Sequence, residues 1–81
     1  MNVRIRLFAV AKELAGRGSI SLELPEGGTV GQLRARLADE VPALAHVLPR
    51  VLFAVGSDYA RDEDVIPADS EVACIPPVSG G

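Results

Sequence analysis

One stretch constrains the fold more than any other. In residues 29–42 the apolar side chains Val30, Leu33, Leu37, Ala38 and Val41 recur at helical spacing. Thr29 is a good helix N-cap, and Gln32 three residues later completes a capping box. Pro42 ends the run. The spacing predicts one main helix over roughly residues 30–40 with a single apolar face. Arg34, Arg36, Asp39 and Glu40 fall on its more exposed side. A helix of that kind has to lie on something, and the rest of the chain supplies the sheet.

Val3, Ile5 and Leu7 alternate with Asn2, Arg4 and Arg6, the period-2 pattern of a strand with one buried face. Residues 8–15 change period and predict a short helical turn, stopped by Gly16 and Gly18. Alternation returns with Ile20, Leu22 and Leu24, a second strand expected to pair antiparallel with the first. Pro25-Glu26-Gly27-Gly28 is a turn; it lacks the Lys-Ser/Thr that a phosphate loop would need. Beyond the helix, residues 43–49 are apolar and ambiguous. Residues 51–55 form a continuous apolar run that reads as a buried strand. Gly56-Ser57 turns the chain into a short strand at Asp58-Tyr59-Ala60, and Val65 and Ile66 anchor a polar connection. Residues 71–75 are the last strand, closed by Pro76-Pro77 because neither proline donates a ladder hydrogen bond.

The order is strand, strand, helix, strand, short strand, strand. It predicts a two-layer α+β fold, one mixed sheet of about five strands with the main helix packed across it. The β-grasp, or ubiquitin-like, arrangement has this order, with the first and last strands parallel at the sheet centre; other small α+β folds share it. A chain of 81 residues, 48% apolar, supports one core and no second domain. The expected division is a domain over residues 1–75 and a reactive tail over 76–81.

Several function classes fall away on composition. The apolar runs are far short of the roughly 20 residues of a membrane span. The alternating N-terminus lacks a signal peptide's apolar stretch, so a cytoplasmic location is expected. A single cysteine, Cys74, and a single histidine, His46, argue against an internal disulfide and against a metal centre. Asp58, Asp62, Glu63, Asp64, Asp69 and Glu71 against Arg61 alone make the C-terminal part acidic, which argues against nucleic acid. The same charge suits docking on a basic protein surface.

The last six residues, Pro76-Pro77-Val78-Ser79-Gly80-Gly81, carry the chemistry. They span roughly 20 Å when extended. Two prolines favour a stiff polyproline II departure. Two glycines, without side chains, thread a narrow channel and adopt any backbone conformation. The Gly81 carboxylate is unreactive alone. Adenylation with ATP would turn it into an electrophile whose unhindered carbonyl a sulfur or nitrogen nucleophile attacks.

The ending, from Asp69-Ser70-Glu71-Val72-Ala73-Cys74-Ile75 through Pro76-Pro77-Val78-Ser79-Gly80-Gly81, closely resembles the small subunit of molybdopterin synthase. Residues 3–16 look like that family's first strand and helix, and the likeness covers essentially the whole chain. Gly56-Ser57 and Cys74 depart from the family's usual residues. The resemblance implies a β-grasp sulfur carrier that is not catalytic alone. A ubiquitin-activating-type enzyme would use ATP to adenylate Gly81, and a sulfur-transfer protein would convert it to a thiocarboxylate. The large catalytic subunit would then receive the tail, and sulfur would pass to cyclic pyranopterin monophosphate. The family precedent is a heterotetramer of two small and two large subunits. No bound cofactor or metal is expected.

Phe8, Ile75 and Val78, with Phe53, are the candidate partner surface; each is also a candidate for the core, which is favoured for Phe53 and evenly balanced for Phe8 and Ile75. Cys74 is expected to be an inert buried thiol, since no basic residue is near it in sequence and Asp69 and Glu71 would raise its pKa. Rival readings with the same tail are a carrier for thiamine, cysteine or transfer RNA thiolation, a ubiquitin-like protein modifier, and an interaction module with an inert tail.

Overall fold

The computed structural model describes residues 1–77; Val78, Ser79, Gly80 and Gly81, to which much of the tail chemistry was assigned, lie outside the described residues. The elements are β1 (Asn2–Leu7), α1 (Ala9–Ala15), β2 (Ser19–Glu23), α2 (Val30–Glu40), β3 (Leu52–Val55), β4 (Asp58–Ala60) and β5 (Glu71–Ile75). Two 3-10 turns, Pro42–Leu44 and Leu48–Arg50, occupy the ambiguous apolar stretch. The strands form one sheet in the order β2-β1-β5-β3-β4. β1 and β5 are parallel central neighbours, and the other pairs are antiparallel. This mixed five-stranded sheet with one main helix is the expected β-grasp architecture.

Period-2 alternation sorts the sheet into two faces. Val3, Ile5, Leu7, Ile20, Leu22, Phe53, Val72 and Cys74 point inward. They meet Val30, Leu33 and Leu37 of α2, and Leu44, Leu48 and Ile66 from the connections. Phe53 is fully buried, so it belongs to the core and not to a partner surface. Val65, expected to anchor its connection, is exposed; only Ile66 is buried there.

The start of α2 shows how closely the layers are tied. A helix leaves its first backbone N–H groups without internal partners. Here the Val30 N–H donates to the Asp64 carbonyl at 3.0 Å and the Gly31 N–H to the Asp62 carbonyl at 2.9 Å. The Gln32 N–H donates to the Thr29 hydroxyl, and the Gln32 side chain accepts from the Thr29 N–H at 2.8 Å, completing the capping box. Gly31 suits this close approach, since a Cβ there would meet the Asp62 carbonyl oxygen at a tight 3.2 Å.

Candidate functional site

The tail leaves from the end of the central strand β5, and everything nearby is set by strand register. Leu7 pairs with Cys74 and Leu52 with Ile75. Phe8 continues β1 in an extended conformation (φ −123°, ψ 156°), and its N–H donates to the Cys74 carbonyl at 3.3 Å. Continued by one residue, the register sets Phe8 opposite Ile75. Phe8, Ile75 and Leu52 therefore form a row across three strands on the face that α2 does not cover. Phe8 is 40% and Leu52 54% exposed, while Ile75 is half-buried. The next row on that face is Arg6, Ala73, Ala54 and Tyr59. Arg6 lies over the Phe8 ring at 5.6 Å and supports its outer edge.

Phe8 stays on the sheet because the backbone turns sharply after it. Ala9 has φ 51°, a left-handed conformation uncommon outside glycine, and α1 begins there. Phe8 is thus the cap before the helix, not its first turn as the changed period suggested. Of the expected partner surface, the structure brings Phe8 and Ile75 together. It adds Leu52, which sequence reasoning missed. A run of five apolar residues shows no alternation, so nothing in residues 51–55 marked which ones face outward.

Pro76 is buried and Pro77 exposed. Both prolines line a groove of about 380 Å³ together with Val10, His46, Val47 and Arg50. His46 is exposed on this groove.

Cys74 is fully buried in β5, and its thiol is pushed up to about 11, chiefly by burial and in part against the opposing field of Arg34. Its burial is as expected, but the cause of the raised pKa differs from the one the sequence suggested. Desolvation raises it, and the nearby cation, Arg34, comes from α2. Arg34 is not the exposed helix residue of the sequence pattern. Its guanidinium donates to the carbonyls of Leu48 and, at 2.8 Å, Val51; it pairs with Asp62 at 2.9 Å and stacks on Phe53 at 4.9 Å. Among the described residues, no group of three or more His, Cys, Asp or Glu side chains is placed to hold a metal ion. No helix among them is long and apolar enough to cross a membrane.

The acidic residues are also placed differently from expectation. Asp58 sits at the β3–β4 turn and Glu71 at the start of β5, the end of the sheet opposite the tail. Arg50 lies beside the tail, on the groove that Pro76 and Pro77 line.

Comparison with known proteins adds what geometry at the tail root leaves open. The ThiS family model matches residues 5–81. The chain is 41% identical over 81 residues to the molybdopterin synthase sulfur carrier subunit of Dictyostelium discoideum, covering 96% of this chain and 94% of that protein. Among solved structures, SAMP1 from Haloferax volcanii superposes with a TM-score of 0.87 at 27% identity, covering all of both chains. A complex of subunits 1 and 2 of the molybdopterin-converting factor from Helicobacter pylori contains a chain of the same fold, with a TM-score of 0.69, 20% identity and full coverage of both.

Proposed function

The chain belongs to the ThiS family, and from that premise we propose that it is the sulfur carrier of molybdopterin synthesis, acting through the carboxylate of Gly81. One observation carries the reading. An identity of 41% over nearly the full length of a molybdopterin synthase sulfur carrier subunit coincides with the ending Pro76-Pro77-Val78-Ser79-Gly80-Gly81. A carrier for another pathway would share the two glycines without that relative.

The reaction asks little of this chain's side chains. A Gly81 carboxylate oxygen attacks the α-phosphate of ATP on a ubiquitin-activating-type enzyme, and pyrophosphate leaves. The outer sulfur of a persulfide on a sulfur-transfer protein attacks the acyl adenylate and AMP leaves; a thiol then attacks the donor cysteine's sulfur, forming a disulfide with it and releasing Gly81 as the thiocarboxylate. On the large catalytic subunit the thiocarboxylate sulfur passes to cyclic pyranopterin monophosphate, and water restores the carboxylate. The body's task is delivery. The Phe8–Ile75–Leu52 row is the apolar patch that seats the carrier on its partner, next to the strand end from which the tail enters. The Helicobacter complex supports a large-subunit partner by analogy of fold.

Mass spectrometry of the intact chain tests the reading. Incubation with ATP, the adenylating enzyme and a sulfur donor is expected to add about 16 Da, one oxygen exchanged for sulfur. That species is expected to be consumed by the large subunit as cyclic pyranopterin monophosphate is converted. Absence of the gain, where a known carrier is converted, would sink the proposal. A ladder of lysine conjugates that disappears on deletion of Gly81 would identify a protein modifier instead.

A further inference from the structure

The groove beside the tail root has no part in the reaction just described. Val10, Val47 and the two prolines make its walls apolar, and Arg50 with His46 makes one side polar. Arg50 is exposed, and no carboxylate among the described residues comes within the 4.0 Å of an ion pair with it. This is unexpected in a chain of net charge −3, where acids outnumber bases. Glu13, one turn along α1 from Val10, does not line the groove, and Asp58 and Glu71 lie at the far end of β5. The groove is therefore a cationic group beside an apolar cleft with no counter-charge paired to it among the described residues.

Its position fixes what would cover it. Pro76 and Pro77 form one wall, and the chain beyond them is the four residues Val78, Ser79, Gly80 and Gly81. Four residues reach at most roughly 14 Å. A protein that takes those residues into a channel has to bring the channel mouth against Pro77, and so against the groove.

We infer that the groove receives an acidic loop from the mouth of the large subunit's channel. A carboxylate of that loop pairs with Arg50, and an apolar neighbour seats between Val10, Val47 and Pro77. The inference rests on the carrier reading and adds a contact separate from the Phe8–Ile75–Leu52 row. It gives the partner's rim a sign: acidic at the tail. An apolar seat alone would position the tail without selecting a partner; a lone guanidinium beside it selects one.

The test titrates the full-length chain onto the large subunit by calorimetry at low and high salt. Arg50→Glu is expected to weaken binding about tenfold or more at low salt, less at high salt. Arg50→Lys is expected to keep most of the affinity, and Arg36→Glu, the same charge change outside the groove, to match the unaltered chain. If Arg50→Glu binds as the unaltered chain does while Phe8→Ala fails, the groove contact is wrong and the carrier reading stands. If the unaltered chain never gains sulfur, the carrier reading fails and the groove contact goes with it. A third result would also overturn the inference: unchanged affinity for the large subunit, with Gly80 and Gly81 amide resonances of the free chain moving on Arg50→Glu. The groove would then belong to the chain's own tail.

Discussion

Among the described residues, Arg34 joins more of the molecule than any other polar side chain. From one position on α2 it reaches two carbonyls at the Leu48–Arg50 turn, the Asp62 carboxylate and the Phe53 ring. Arg34→Ala leaves the Leu48 and Val51 carbonyls without this donor and uncovers Phe53. The expected loss is about 2–3 kcal/mol, read from the urea midpoint. Arg34→Lys is expected to recover less than half of it, since an ammonium does not reproduce the planar fork that serves carbonyls and carboxylate at once. Asp62→Asn should cost well under 1 kcal/mol, because that partner is 57% exposed and screened by water. Equal losses at Arg34 and Asp62 would contradict this division. Cys74 gives a pH signature. Its folded pKa of about 11 lies above the ordinary 9.0, so the folded state holds the proton longer than the unfolded chain. The contribution is fully present below about pH 9 and is lost as pH rises through about 11. Within that window stability should fall by up to about 1.4 kcal/mol per pH unit. Cys74→Ala, which does not titrate, should lack this slope; parallel urea midpoints for the two proteins between pH 8 and 10.5 would refute the assignment.

At the scale of elements, α2 is held as firmly at its N-terminus as along its apolar face. Thr29→Ala removes the hydroxyl that accepts from Gln32 and is expected to cost about 1 kcal/mol, whereas Thr29→Ser should cost a few tenths. Thermal unfolding followed by circular dichroism checks both, and an Ala variant as stable as the Ser variant would show the cap to be idle. This element was legible in the sequence because its cap, period and stop agree with each other. β1, β2 and β5 were legible for the same kind of reason: alternation fixes both the strand and its buried face. Leu52 was not, because uniformly apolar residues carry no record of which face they take, and only pairing with Ile75 turns it outward. Arg34 was missed on similar grounds. A charged residue on the polar side of a helix reads as solvated, and its partners at Leu48, Val51 and Asp62 come from segments that only the tertiary fold brings to it. The groove was hidden too, since α1, the 3-10 turns and the two prolines meet only after folding.

Over the whole molecule, stability and proposed chemistry are carried by separate parts of the chain. The core closes around Val72, Cys74 and the buried Pro76, while the reacting atom belongs to Gly81, five residues further on. Deleting Gly80 and Gly81 is therefore expected to leave the unfolding temperature within about 1 °C of the full chain. It should abolish the 16 Da gain altogether. A finer test moves the reacting group without removing it. One alanine added after Gly81 displaces the carboxylate by about 3.5 Å along the chain. Misplacement of a reacting group by as little as about 1 Å can cost a hundredfold in rate. The extended chain should thus fold normally, bind the large subunit through the Phe8–Ile75–Leu52 row, and acquire sulfur at least a hundredfold more slowly. Sulfur acquisition at an undiminished rate would mean that the partners do not measure the tail from the body, and the row would lose its role in delivery.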